Sequence, residues 1–368
     1  MCLIRCPVDV NKPFKQSGQA LMIMLIVIAV GALSIFFTTL NRNSLQIEQD
    51  KKTFAVLAQA KEALIGYTVS RVDVGETPGL FPLPDRLVEV PQNYDGTTDT
   101  CIGSYSGLRC IGRLPWKTLG MSITAPSEHD SSGAMPWYAF SANLMDVCLE
   151  FLNSDLLTLA FTSYACPTST VLPHPWLTVR DSRGNIISSR VAAVIIVPGP
   201  PLASQSRPLP PTLGGPDQYL DSVTVPTSCA SPCLPGTYHN YDQDNDFTIG
   251  NQSATFNDRL LYITIDDLMP LILKRVVSEI RFRLNQYHTT YGFYPYAANN
   301  VSPFDCIQSQ TSGSLPLANG NCLDPSLGVV SSFPPWFKYN WMQVVTYERI
   351  APNLAELKIN MQTYNISP

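Results

Sequence analysis

The sequence has little charge. Asp, Glu, Lys and Arg make up 14% of its 368 residues, and 29 acids against 24 bases leave a formal net charge of −5. No lysine or arginine block marks a surface that would track a phosphate backbone, so no nucleic-acid partner is expected. Histidine is scarce, with four in the chain: His129, His174, His239 and His288. None falls in an HExxH pattern or four residues from a second ligand. The chain also lacks a G-x-S-x-G elbow, a GKT/GKS phosphate loop and a G-x-G-x-x-G run after a strand. Those absences remove the usual signatures of serine hydrolases, P-loop enzymes and dinucleotide binders, and no catalytic residue is singled out. No internal repeat stands out.

Cysteine and proline are plentiful, at 10 and 31 residues. Cys2 and Cys6 precede an apolar run. The rest follow it: Cys101, Cys110, Cys148, Cys166, Cys229, Cys233, Cys306 and Cys322. They fall into four near-neighbour pairs, as disulfides in an oxidising compartment do. Sequential pairing is expected because short loops are entropically easy to close. Buried free thiols are the alternative; zinc is disfavoured, since no C-x2-C pair or histidine sits at ligand spacing. The prolines cluster in turn-rich stretches and imply long irregular connections.

Residues 19–41 read QALMIMLIVIAVGALSIFFTTLN and carry no charge. The apolar part, Ala20 to Leu40, would span ~30 Å as a helix, the thickness of a bilayer core. Arg5, Lys12 and Lys15 precede it, which predicts a cytoplasmic N-terminus and an exported body. No A-x-A-like cleavage site follows. Neither Pro nor Gly interrupts Leu33 to Ile65, so the span is expected to run on as an amphipathic helix with Phe54, Leu57, Ala58, Leu64 and Ile65 as its apolar stripe. The expected organisation is a basic leader (1–18), a transmembrane helix (19–41), its amphipathic continuation (42–71) and a periplasmic head (72–368).

A basic leader, then Gly18, an uncharged apolar run and an amphipathic half-helix together resemble a type IV prepilin or pseudopilin. The resemblance implies cleavage by a prepilin peptidase between Gly18 and Gln19, a first half-helix held in the inner membrane and later in a filament, and a second half-helix packed on a globular head. Two positions depart from the family pattern. Gln19 replaces the usual Phe, and Ile23 replaces the Glu thought to pair with a neighbouring subunit's amino terminus. The second departure resembles the K-type minor pseudopilin found at a filament tip, which favours a minor subunit over a major one. The segments LAQAKEALIGYTVSR (57–71), GRLPWKTLG (112–120), PWYAFSANL (136–144), AAVIIVPGPPLASQSR (192–207) and TFNDRLLYITIDDLMP (255–270) are similar to a group of proteobacterial pilin-like proteins with no defined activity.

In the body, residues 141–162 read as a helix and 176–199 as a hairpin around SRGN, with VAAVIIV a buried strand. Residues 200–254 read as a long polar loop or small insertion. RLLYITI (259–265) is a strand, and Asp266 is expected to cap a helix ending at Gly292 with the stripe Leu268, Leu271, Ile272, Val276, Ile280, Leu284 and Tyr287. The tail 336–350 holds a strand. The fold class is α+β: a long N-terminal membrane-embedded helix packed on an antiparallel sheet, with added helices and disulfide-pinned loops.

Three candidate sites remain. Asp242, Asp244 and Asp246 alternate in YDQDNDFTIGN, as carboxylates around a calcium ion do. The spacing is not that of an EF-hand, which leaves a looser calcium loop beside the more ordinary reading, a solvated acidic loop. Asp95-Gly96 makes a turn. The aromatics of 287–296 either pack a helix end or form a sugar-binding surface. The functional expectation is a minor pilin or pseudopilin subunit of a type IV pilus or type II secretion pseudopilus, acting by assembly and not by catalysis, with other pilin subunits and the peptidase as partners. The alternatives are a single-pass inner-membrane protein with a periplasmic binding head, and a periplasmic metal-dependent enzyme using the three aspartates.

Overall fold

The computed structural model describes residues 17–71, 77–87, 94–101, 110–121, 134–144, 152–155, 176–208, 213–242, 244–299, 310–316 and 333–368; for most of 17–46 it describes the backbone only. In chain order the regular elements are α1 (Ser17–Ser70), β1 (Cys110–Arg113), β2 (Trp137–Phe140), β3 (Leu177–Arg180), β4 (Ile186–Val197), β5 (Ser222–Val225), β6 (Gly236–His239), β7 (Asp246–Thr248), β8 (Arg259–Thr264), α2 (Ile265–Tyr291), β9 (Ser312–Ser314), β10 (Val345–Ala351), β11 (Leu354–Ile359) and β12 (Gln362–Ile366). The chain divides into two compact units, Met1–Lys51 and Lys52–Pro368.

The first unit overturns the membrane assignment. Among the described residues no helix is long and apolar enough to cross a membrane. The transmembrane helix 19–41, and with it the single-pass inner-membrane location with a cytoplasmic N-terminus and periplasmic body, is therefore corrected. The physical reason is that α1 is not sized to a bilayer. Its 54 residues run without a break through the polar stretch from Asn41 to Lys52, for a length of about 80 Å.

The second unit is mostly sheet, built as three sheets rather than one. The largest has the order β1-β2-β4-β3-β7, with β8 also paired to β4. It is mixed, because β3 and β7 run parallel while its other pairs are antiparallel. β4 organises it. Its first half forms the hairpin with β3, closed by Asp181, whose carboxylate accepts from the backbone amides of Arg183 and Asn185. Its second half pairs with both β2 and β8. Val191 to Val197 are all fully buried, as expected of a strand covered on both faces. The pairing with β8 shifts register between Val191 and Ala193. This bulge puts Ala192 and Ala193 on the same face, after which sides alternate: Ala193, Ile195 and Val197 face one core cluster, Val194 and Ile196 the other.

The expected architecture, a long N-terminal helix packed on an antiparallel sheet, is corrected here too. The helix lying across β4 and β8 is α2. It starts at Thr264, whose hydroxyl accepts from the Asp267 amide, and ends at Gly292 in the left-handed conformation (φ 78°). Thr264, not Asp266, is thus the cap, because Asp266 points away to grip Arg190 of β4 through two 2.8 Å bonds. The stripe on α2 is as read, except that Leu271 is exposed. Of α1, the segment from Thr53 to Thr68 adds to the same core, and Lys61 donates to the Tyr262 carbonyl of β8 at 3.1 Å. The buried row is Thr53, Val56, Leu57, Ala60, Leu64 and Thr68, while Phe54 and Ala58 face outward. The apolar stripe is therefore rotated from the expected one, because the closely packed face selects Ala60 and the two threonines over the bulkier Phe54.

The second sheet has the order β12-β11-β10-β9. Asn360 and Met361 both have positive φ (47° and 61°) between β11 and β12, the pattern of a two-residue type I′ hairpin. The sequence reading found one strand in this tail and missed β11 and β12, although β11 alternates, with Ala355, Leu357 and Ile359 buried and Glu356 and Lys358 outward. The third sheet is the hairpin β5-β6. With β7 it fills part of residues 200–254, which are thus more than a loop. The described disulfides join Cys101 to Cys110 and Cys229 to Cys233, with Cα–Cα distances of 5.8 and 6.3 Å. Cys148, Cys166, Cys306 and Cys322 lie outside the described residues. So does most of the helix read over 141–162, of which Ala142–Leu144 forms a 3-10 turn.

Candidate functional site

One end of the large sheet carries a cluster of arginines, aromatic rings and buried acids. Arg113 is the last residue of β1 and pairs in register with Trp137, the first of β2. Cross-strand neighbours on one face meet, and the Arg113 guanidinium lies 4.0 Å from the Trp137 ring centroid. Tyr219 and Tyr94 close around the same cation, at 4.5 and 5.4 Å. Tyr94 meets Trp137 edge-on at 82°, and its hydroxyl donates to the Gly214 carbonyl at 2.8 Å. The Arg113 side chain also donates to the Met135 carbonyl. Arg113 is 6% exposed and Trp137 fully buried. A desolvated cation against three ring faces is a favourable way to bury a guanidinium.

Arg207 stands beside it, 5.2 Å from the Tyr219 ring. It donates to the carbonyls of Pro198, Gly199 and Tyr219. Gln205 accepts from Arg207 Nε and donates through Nε2 to the Tyr219 carbonyl and to Asp221 Oδ1 at 2.6 Å. Asp221 Oδ2 accepts from the amides of Asn257 and Asp258, while Asp258 Oδ2 accepts from the Asp221 amide and from Asn240 Nδ2. The two carboxyls thus hold each other's backbone. Burial, reinforced by the charge of Asp221, pushes Asp258 well above the ordinary carboxylate range, and burial also raises Asp221. Both shifts favour the protonated form of the pair, because burial penalises a second carboxylate charge beside the first.

A third buried acid lies on the strand-flanking loop. Asp85 pairs with Arg113 through backbone hydrogen bonds, and its Oδ2 accepts from the Gly96 amide at 2.6 Å. Its Oδ1 has no hydrogen-bond partner among the described residues. Burial, with help from the charges of Asp99 and Asp95, pushes this carboxyl up to about 7. Gly96 is required there: its φ is +85°, and a Cβ would meet the Trp116 ring at 2.2 Å. The Asp95-Gly96 turn is present, with Asp95 Oδ1 accepting from the Thr97 amide and hydroxyl.

Between Arg113, Arg207, Tyr94 and Tyr219 opens a cavity of about 670 Å3, completed by Gln205, Ser206 and apolar walls from Met135, Pro201 and Pro208. A second one of about 210 Å3 shares Tyr94 and is lined also by Trp137 and Tyr241. The first is of a size that takes one small molecule.

Of the sequence-predicted site residues, the pairs Cys101–Cys110 and Cys229–Cys233 are joined as disulfides. Asp246 begins β7 and pairs with Arg180 at 3.1 Å, and Asp244 Oδ1 accepts from the Asp246 amide. Among the described residues no group of three or more His, Cys, Asp or Glu is placed to hold a metal ion. Gly18, Gln19 and Ile23 fall within α1, and the side chains of Gln19 and Ile23 lie outside the described residues. Leu57 and Leu64 are core residues, and Phe54 is exposed. In the aromatic run, Tyr287 and Tyr294 are buried at the helix end.

Sequence reasoning missed Tyr94, Arg113, Tyr219, Asp221 and Asp258 as one constellation. The signal was partly there. Arg113, Trp137, Gln205 with Arg207, and Asn257 with Asp258 come from four of the five segments singled out by resemblance. A lone arginine in the apolar run CIGRLPW also asks for a buried partner. Compared with known proteins, the chain matches no family model, no curated protein and no solved structure.

Proposed function

We propose that this chain is a minor, pilin-like subunit that acts by assembly with other subunits and not by catalysis. The observation that carries the reading is α1, one unbroken helix over the described residues Ser17 to Ser70. Its first part belongs to a compact unit separate from the sheet body. Along that part Met22, Met24, Leu25 and Ile28 are each at least 58% exposed. An exposed apolar row on a helix is a surface that calls for cover, and the matching row of a second subunit supplies it by helix packing. Ile23 in place of an acid removes the family's pairing with a neighbour's amino terminus, which favours a minor or tip position.

The test is mass spectrometry of the mature protein isolated from cells that contain a prepilin peptidase. The expected species begins at Gln19, and Gly18→Ala abolishes that cut. A mature chain beginning at Met1 in the unaltered protein sinks the reading.

A further inference from the structure

We propose that Phe293 and Tyr296, just past the end of α2, form with Arg349 of β10 a binding site for an acidic sugar, a uronic acid within a glycan. The inference is independent of the assembly role, since it concerns only the sheet body.

The site is what the aromatic run leaves uncovered. Tyr287 and Tyr294 go into the core, whereas Tyr296 is 39% exposed and Phe293 half-buried. The backbone that carries both rings is pinned. The Tyr294 amide donates to the Pro352 carbonyl, the Ala297 amide to the Gln310 carbonyl, and the Tyr347 hydroxyl of β10 to the Pro295 carbonyl. Arg349 is fixed in the second sheet, its amide donating to the Thr311 carbonyl. Its guanidinium lies 4.2 Å from the Tyr296 ring centroid and 5.4 Å from that of Phe293.

Charge selects an anion. Among the described residues those ring contacts are the partners of the Arg349 side chain, which makes no hydrogen bond and no ion pair there. The acids of the neighbouring elements are directed elsewhere. Glu348 and Glu356 are cross-strand partners on the opposite face from Arg349, because successive residues of a strand alternate. Glu348 is also bound to Lys358 at 2.8 Å. Glu279 of α2 pairs with both Arg275 and Arg283. The patch is therefore positive, and its cation is half-exposed.

Chemistry narrows the anion. A guanidinium presents a planar fork of donors that matches a carboxylate. A sugar ring packs its C–H face on an aromatic ring, and a uronic acid carries that face and a carboxylate in one residue. Pinned rings and a stacked cation are positioned before the ligand arrives, which limits the ordering cost of binding. Three side chains are few against the roughly 20–30 residues a side of a standard protein interface, so a glycan residue fits the patch better than a folded partner.

The experiment is isothermal titration of the purified full-length chain at neutral pH with trigalacturonate, maltotriose and triglutamate. Trigalacturonate is expected to bind saturably with a Kd of about 1 mM, the other two at least about tenfold more weakly. Arg349→Gln should weaken trigalacturonate about tenfold and Tyr296→Ala several fold, while Tyr296→Phe, which keeps the ring, and Lys358→Gln, on the opposite face, leave it unaltered; Tm should stay unchanged in all four. Maltotriose binding as tightly would show that charge is not read, and triglutamate binding as tightly would make the occupant an acidic peptide; either overturns the proposal. So does an Arg349→Gln variant with unaltered affinity, a Lys358→Gln variant weakened as much as Arg349→Gln, or no saturable trigalacturonate binding up to about 20 mM.

Discussion

Replacing Asp85 by Asn tests the electrostatics of the site directly. In the folded protein this carboxyl titrates at about 7 instead of 3.8. Between those two values the folded state keeps its proton while the unfolded state has lost it. The unfolded state then binds fewer protons, so stability falls as pH rises. The contribution is complete below about pH 4, declines through the window and reaches its floor above pH 7. Each pH unit in the window costs about 1.4 kcal/mol. The full window costs on the order of 4 kcal/mol, and about half of that once partial solvent screening is allowed for. Asparagine keeps an oxygen for the Gly96 amide and has no charge to desolvate. Asp85→Asn should therefore be stabilising by about 2–4 kcal/mol at pH 8 and nearly neutral at pH 4. Urea unfolding of both proteins, oxidised, at pH 4, 6 and 8 and followed by tryptophan fluorescence, measures the difference. A variant less stable than the parent at pH 8, or a difference that does not change with pH, refutes the argument.

Other consequences follow from the same geometry. Trp137→Ala removes a fully buried ring that supports Arg113 and should cost about 3–5 kcal/mol in the same urea assay; a loss below about 1 kcal/mol would mean the stack is not structural. Gly96→Ala meets the Trp116 ring at a positive φ and should destabilise by more than about 2 kcal/mol, read as a lowered Tm. Replacing both Cys101 and Cys110 by Ser opens a loop with a sequence separation of 9 and should cost about 2–3 kcal/mol, checked by calorimetry beside the parent under oxidising conditions.

Much of the local structure was legible in the chain. The SRGN hairpin, the buried run VAAVIIV, the strand RLLYITI and the helix ending at Gly292 all stand where periodicity and turn chemistry put them. These features depend on neighbours in sequence, so a short window contains their cause. The stripe on α1 was rotated, because which side of a helix is buried depends on the partner it meets. The bulge at Ala192 and the parallel contact of β3 with β7 have no local signal at all.

The sequence by itself determined the low charge and the positions of β3, β4, β8, part of β10 and α2. Among the described residues no helix is long and apolar enough to cross a membrane, and tertiary structure alone decided that α2 crosses β4 and β8 with part of α1 added to the same core, and that the sheet is mixed. It alone assembled the arginine site. Arg113 and Arg207 are 94 residues apart in sequence, and Asp221 and Asp258 are separated by 37. Groups that far apart meet only where strand pairing and burial force them together, and burial, not residue type, raises the proton affinity of both aspartates.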